Sequence, residues 1–180
     1  MGSLQFNLVT KIVEDTTFDC GISSINGYVK NSFLPLITQQ AYTYSIKYGS
    51  VLLGYYQIMF REIELEDISD EFSIYDASLK GNKISSVYIR FLAIDKEHQR
   101  RKIGTNVIKI IIKQVETISN NWPVRIITID GRNDLIDWYH QLGFVEMQNN
   151  TSGQDGTTTA MYYNCTKYEK EINEYVSNLI

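Results

Sequence analysis

The run Arg90-Phe91-Leu92-Ala93-Ile94-Asp95 leads directly into Lys96-Glu97-His98-Gln99-Arg100-Arg101-Lys102, and that basic loop opens into a long segment of helical periodicity. This junction constrains the fold more than any other feature. Ser85–Asp95 reads as a central strand, apolar on both faces. Beyond the loop, Ile103, Val107, Ile110, Ile111, Val115 and Ile118 recur at three- and four-residue intervals, which predicts an amphipathic helix ended by Asn120-Asn121-Trp122-Pro123. Such a junction is an anion site: the first turn of a helix has N–H groups without intrahelical acceptors, its dipole is positive there, and Arg100, Arg101 and Lys102 add charge. The spacing fits neither a Walker A loop nor a dinucleotide G-x-G-x-x-G, which disfavours a nucleotide triphosphatase and a Rossmann dehydrogenase.

The rest of the chain supplies strands and helices around this core. Phe6–Val13 predicts a first strand and Thr16–Gly21 a turn. Ile22, Ile25, Val29 and Phe33 mark one face of a helix, with Asp19 or Ser23 placed to cap it and Pro35 to break it before a connection through Gln40. Ala41–Lys47 and Val51–Arg61 flank Tyr48-Gly49-Ser50 as a hairpin. From Glu62 to Lys83 the chain is acidic, with Glu62, Glu64, Glu66, Asp67, Asp70, Glu71 and Asp76 around the apolar Ile68, Phe72 and Ile74. This stretch reads as a solvated surface insertion, with attraction of a cationic substrate as its functional alternative. Val124–Asp130 predicts a strand, Asn133–Gln141 a short helix closed by Gly143, and Phe144 the start of another strand. The polar loop Asn149–Thr157 then links it to Thr158–Thr166 as a second hairpin, and Tyr168–Ile180 reads as a terminal amphipathic helix.

With 180 residues, no repeats and no long linker, the chain is expected to form one domain over 1–180, its core at 85–166, an acidic insertion at about 62–83 and a tail at 167–180. The net charge of -4 and pI of 5.2 disfavour a general grip on nucleic acid and favour a small-molecule or protein partner, although a local basic patch still suits one polyanionic ligand. No stretch approaches the roughly 20 apolar residues of a membrane span, and the N-terminus lacks a secretory pattern. A soluble cytoplasmic protein is expected, without membrane association. Cys20, Cys165, His98 and His140 lack metal-ligand spacing, so no metal site is expected, and neither cysteine has a visible activating neighbour.

The segment Gln99-Arg100-Arg101-Lys102-Ile103-Gly104 resembles the Q/R-x-x-G-x-G/A motif of GNAT-superfamily N-acetyltransferases, with Lys102 where the motif has its first glycine. A second stretch, Asp137-Trp138-Tyr139-His140-Gln141-Leu142-Gly143-Phe144, resembles that family's aromatic-Tyr-x-x-x-Gly-Phe signature, and the resemblance covers Val87 to Phe144. It implies an α/β fold: a single GNAT-like domain with a mixed, mostly antiparallel sheet of six to seven strands flanked by helices, and splayed central strands forming the acyl-CoA cleft. It further implies acetyl-CoA as donor and no metal. Leu92, Ala93 and Ile94 would meet the pantetheine arm. Gln99, Arg100, Arg101, Lys102, Ile103, Gly104 and Thr105 would meet the diphosphate, and Asn133 would be a further cofactor contact.

On this resemblance Tyr139 is the general acid for the departing thiolate. A phenol is neutral near pH 7 and suited to that task. The reaction implied is direct attack by a primary amine of a small molecule, peptide or protein in a ternary complex, by a monomer or homodimer. No Asp or Glu stands on SSVYIRFLAI to act as base. Two alternatives accompany this reading. The segment FDCGISSINGYVKN faintly resembles GNAT toxins that acetylate aminoacyl-tRNA, which the acidic pI disfavours. A catalytically silent domain that binds acyl-CoA or a protein is kept open by Lys102.

Overall fold

The computed structural model describes residues 3–13, 17–68, 83–149 and 156–165. The tail 167–180 and most of the acidic insertion, residues 69–82, lie outside them. In chain order the elements are β1 (Leu4–Leu8), α1 (Ser23–Lys30), α2 (Phe33–Ile37), β2 (Tyr42–Tyr48), β3 (Val51–Glu64), β4 (Lys83–Ile94), α3 (Ile103–Ile118), β5 (Ile126–Arg132), α4 (Ile136–Gln141), β6 (Val145–Glu146) and β7 (Thr158–Asn164). The strands form a mixed, mostly antiparallel seven-stranded sheet in the order β1-β2-β3-β4-β5-β7-β6. This is the α/β architecture that the sequence resemblance implies. Among the described residues no helix is long and apolar enough to cross a membrane.

The chain divides into two compact units, one drawn from Met1–Phe60 and Tyr88–Lys109, the other from Arg61–Val87 and Ile110–Ile180. In the first, β1 pairs antiparallel with β2 (Leu4 opposite Tyr48) and β2 with β3 through the turn at Gly49, whose φ of 60° is a glycine conformation. Phe18, Cys20, Val29, Tyr55, Phe91 and Ala93 form its core, with Ile22 and Ile25 packed against it. The buried Gln57 is satisfied at both ends: its amide nitrogen donates to Thr43 Oγ1 and its oxygen accepts from Arg90. In the second unit β5 pairs antiparallel with β7 (Ile129 opposite Met161) and β7 with β6. Ile63, Leu65, Ile68, Ile84, Ile126, Met147, Ala160 and Tyr162 make that core.

Several sequence expectations require correction. The first strand lies at Leu4–Leu8 rather than Phe6–Val13, and Val9 N–H extends its pairing to Thr43 O. Phe33 begins α2 instead of ending the first helix. Pro35 sits inside the first turn of α2, where its missing N–H costs no intrahelical bond. Neither Asp19 nor Ser23 caps α1: Ile22 occupies the N-cap without a side-chain bond, and the Asp19 carboxylate is committed elsewhere. Glu62 and Glu64 belong to β3, not to an insertion, and a 3-10 turn at Leu65–Asp67 buries Leu65. In α3 the bounds are those expected, but the buried stripe is Val107, Ile108, Ile111, Ile112 and Val115, whereas Ile118 is exposed.

Candidate active site

The expected cofactor residues Leu92, Ala93, Ile94 and Gln99 to Thr105 are consecutive in space as in sequence: the end of β4, its loop and the start of α3. At the strand end the backbone is crowded from one side. A Cβ on Gly54 of β3 would collide with the Ala93 carbonyl oxygen and the Ile94 Cα, so only glycine allows this approach. The loop then turns under side-chain control. Asp95 N–H donates to Leu53 O, its carboxylate accepts Glu97 N–H at 3.0 Å, and the Gln99 amide nitrogen donates to Ile94 O at 2.9 Å and Cys20 O at 3.0 Å. The Gln99 side-chain donor is thus spent on protein carbonyls.

Arg100 and Lys102 both adopt left-handed backbone, with φ of 61° and 60°. Lys102 therefore holds the kind of conformation for which glycine is usual, at a cost of about 1–2 kcal/mol for a residue with a Cβ. Its carbonyl accepts Asn106 N–H, the first bond of α3, so α3 opens with the N–H groups of its first turn beyond the reach of the i−4 ladder. Arg100, Arg101 and Lys102 are exposed and form no ion pair among the described residues. A polarised helix start beside three free cations can take up a diphosphate.

Asp19 lies behind this loop. Its carboxylate accepts Lys96 Nζ at 2.9 Å, Gly21 N–H at 2.8 Å and Asn26 Nδ2 at 2.9 Å. Those three donors, Lys96 foremost, favour the ionised carboxylate and hold its pKa well below the usual carboxylate range. No sequence signal marked Asp19 and Lys96 as partners. Arg90 was likewise unmarked: its guanidinium bonds Gln57 at 3.2 Å and lies 4.7 Å from the centre of the Tyr28 ring on α1.

Tyr139 and Asn133 belong to the second unit. Tyr139 is buried in α4, with its ring 4.7 Å from Trp138 and 5.8 Å edge-on from Phe144. The helix ends in a Schellman arrangement: Phe144 N–H reaches Tyr139 O, Gly143 N–H reaches His140 O, and Gly143 has φ of 89°. Burial pushes the Tyr139 hydroxyl up to about 12, with Arg132 pulling down and Asp134 pushing up more weakly. Gly131 sets the ring's place, because a Cβ there would stand 2.9 Å from two Tyr139 ring carbons. This contact was hidden in the sequence. Asn133 spends its side chain locally, donating to Gly156 O and accepting from Thr159 Oγ1, both at 2.9 Å. Cys20 and Cys165 are buried and form no disulfide, and burial raises the Cys20 thiol above its ordinary value.

Residues 76–165 match the acetyltransferase (GNAT) domain family. No curated protein matches the chain in sequence. Among solved structures, a KacT mutant with a tyrosine changed to phenylalanine is similar at TM-score 0.74 and 19% identity, over 94% of this chain and 98% of that one. AtaT complexed with acetyl-methionyl-tRNAfMet is similar at TM-score 0.73 and 17% identity, covering 97% and 99% of the two chains. AtaTR bound with acetyl-CoA follows at TM-score 0.69 and 18% identity, covering 94% and 98%. At these identities the likeness is one of fold.

Proposed function

The chain belongs to the GNAT acetyltransferase family, and from that premise we propose that it transfers the acetyl group of acetyl-CoA to the α-amino group of an aminoacyl-tRNA. The observation that carries the acceptor is the segregation of charge. The unit that contains the basic loop has nine Lys and Arg against five Asp and Glu, a surplus of four positive charges; the other has eight against sixteen, a surplus of eight negative. Together these recover the net -4 of the whole chain. Net charge thus understates the attraction that the first unit offers a polyanion, since screening limits what distant charges feel to about 8–10 Å. The acetyl-methionyl-tRNAfMet with which the similar AtaT is complexed, and the near-complete mutual coverage, support the same acceptor.

In this reading Arg100, Arg101, Lys102 and the start of α3 at Ile103, Gly104 and Thr105 hold the diphosphate. Leu92 and Ala93 present backbone groups to the pantetheine, while the Ile94 carbonyl is already engaged by Gln99. Asn133, with its amide committed, acts through the Gly156 and Thr159 backbone and side chain it binds. The donor supplies a thioester activated toward amines. As the neutral amine forms the new C–N bond and the C–S bond breaks, Tyr139 would deliver the proton at its hydroxyl to the leaving sulfur, and the proton that the amine nitrogen then loses, by way of water, would restore the phenol. An α-amine has an ordinary pKa of about 7.7–8.0, so a large fraction is neutral at working pH. That removes the need for a strong base, in keeping with the lack of Asp or Glu on β4. A lysine-like amine at about 10.4 would need one.

A second reading, transfer to a small-molecule or peptide amine, is favoured by the overall net charge of -4. The silent-domain reading loses its main support, because Lys102 takes up the glycine-like turn rather than closing it. The test is a product assay by mass spectrometry after incubation with acetyl-CoA and, in parallel, aminoacyl-tRNA, the free amino acid and a short peptide. The expected result is acetyl-aminoacyl-tRNA with little acetylation of the others. Acetylation of the free amine or peptide alone contradicts the tRNA acceptor and leaves the transferase.

A further inference from the structure

Seven hydrogen bonds converge where the segment before α1 meets the loop after β4. Asp19 N–H donates to Asp95 Oδ2 at 3.0 Å, and Lys96 N–H returns a bond to Asp19 O at 2.9 Å. The Asp19 carboxylate accepts Lys96 Nζ, Gly21 N–H and the Asn26 amide, so it also reaches into α1. Gln99 closes the far side through Cys20 O and Ile94 O. Immediately beyond Gln99 stand the two left-handed residues Arg100 and Lys102. Neither is glycine, and such residues persist only where the surroundings over-determine the backbone. The clasp of Asp19, Lys96 and Gln99 is the structure that fixes the loop on its upstream side, and α3 fixes it downstream.

We infer that Asp19 and Lys96 are positioning residues for the donor-binding loop, holding Arg100 to Lys102 in the strained conformation that presents their charges and the start of α3 to the diphosphate. The inference rests on the acetyl-CoA reading of that loop. Global stability is not what the pair supplies: the Lys96 and Asp19 side chains are 61% and 41% exposed, and an exposed ion pair of this kind contributes little to folding. Its value is registration. The Asp19 backbone contributes one donor and one acceptor to the loop while its side chain contributes a charge, so the loop is held at consecutive residues and cannot slide without breaking several bonds together. Asp19 touches none of the groups expected to meet the donor, and it acts through Lys96 and Asp95.

The experiment pairs a readout on the free protein with one on the donor. Amide hydrogen exchange over residues 96–106 is followed in wild type, Asp19→Asn, Lys96→Met and Lys96→Arg, and KM for acetyl-CoA and kcat are measured on the same preparations. Loosening the clasp is expected to speed exchange in the loop by about tenfold while Val107 to Val115 stay protected. KM for acetyl-CoA is expected to rise about five- to tenfold with kcat within about twofold, the signature of lost binding rather than lost chemistry. Lys96→Arg keeps the ion pair and should restore both. Should Asp19→Asn fail to fold, Lys96→Met alone carries the test, because it leaves the Asp19 backbone bonds intact. Unchanged loop exchange and unchanged KM in a wild type that does bind acetyl-CoA overturn the clasp alone. A wild type that does not bind acetyl-CoA contradicts the donor reading and the clasp's purpose with it, whatever the exchange shows.

Discussion

The loop after β4 and Tyr139, the two elements on which the proposed function rests, are built by opposite means. The loop from Asp95 to Lys102 is held at an exposed surface by charge and hydrogen bonds, with Asp19, Lys96 and Gln99 as its fasteners. Tyr139 is held by volume, wedged among Trp138, Phe144 and the bare backbone of Gly131. The difference is instructive because the two tasks differ. A loop that takes up and releases a charged donor is served by contacts that water and salt can compete with. A phenol that must donate a proton is served by a dry, fixed setting that keeps it protonated. The loop should therefore respond to ionic strength and to charge substitutions, and the tyrosine to volume substitutions.

The largest expected effect is that of Tyr139→Phe, which removes the proton and leaves the packing. Steady-state kinetics should show kcat lower by about 10²- to 10⁴-fold, with acetyl-CoA affinity nearly unchanged. The same residue fixes the alkaline limit. Its pKa is raised by burial to about 12, so the neutral phenol persists past the ordinary value of 10.0. Stability linked to that proton is intact below pH 10 and is lost as pH rises through about 12. A pH–rate profile should then show no loss of kcat assignable to Tyr139 below about pH 11, and a fall between about 8 and 10 that disappears in Tyr139→Phe breaks the contrast.

Next in size comes Gly131→Ala, whose methyl group meets the Tyr139 ring. Displacing the ring by a fraction of an ångström to an ångström should lower kcat by about 10- to 100-fold. Thermal unfolding should report about 1–3 kcal/mol of lost stability. Donor affinity, which the proposed function assigns to the loop after β4, should hold. A wild-type kcat in this variant removes the claim that volume positions the tyrosine.

Smallest is Lys102→Gly. Relief of the left-handed strain, less the entropy that glycine adds to the unfolded chain, should raise stability by about 0.5–1 kcal/mol. Donor affinity should fall less than about threefold, as one charge of three is lost while the turn is kept. Destabilisation in this variant would mean that the lysine side chain itself braces the loop.

Much of this was legible in the sequence for physical reasons that differ by region. The α3 helix was readable to its bounds, because sixteen residues with a wide apolar stripe leave little alternative. The two motif segments were readable because each is local. The Asp19–Lys96 pairing was not, since it joins residues 77 apart and neither has a pattern that names the other. Gly131 was unreadable for the same reason: its need to be glycine comes from a ring that folds back over it. Pro35 misled because proline ends a helix in its interior but is tolerated in its first turn, and local sequence did not show that a second helix began at Phe33. The pI hides the basic surplus of the first unit because one number averages two units of opposite sign.

The account stands on the loop as the donor site, and calorimetric titration with acetyl-CoA tests this most directly. Wild type should bind, Arg101→Ala should bind about tenfold more weakly with a smaller dependence on salt, and Gly104→Glu, which sets a carboxylate at the positive end of α3, should bind more weakly still. A folded wild type that does not bind acetyl-CoA, or that binds equally well in both variants, would contradict it.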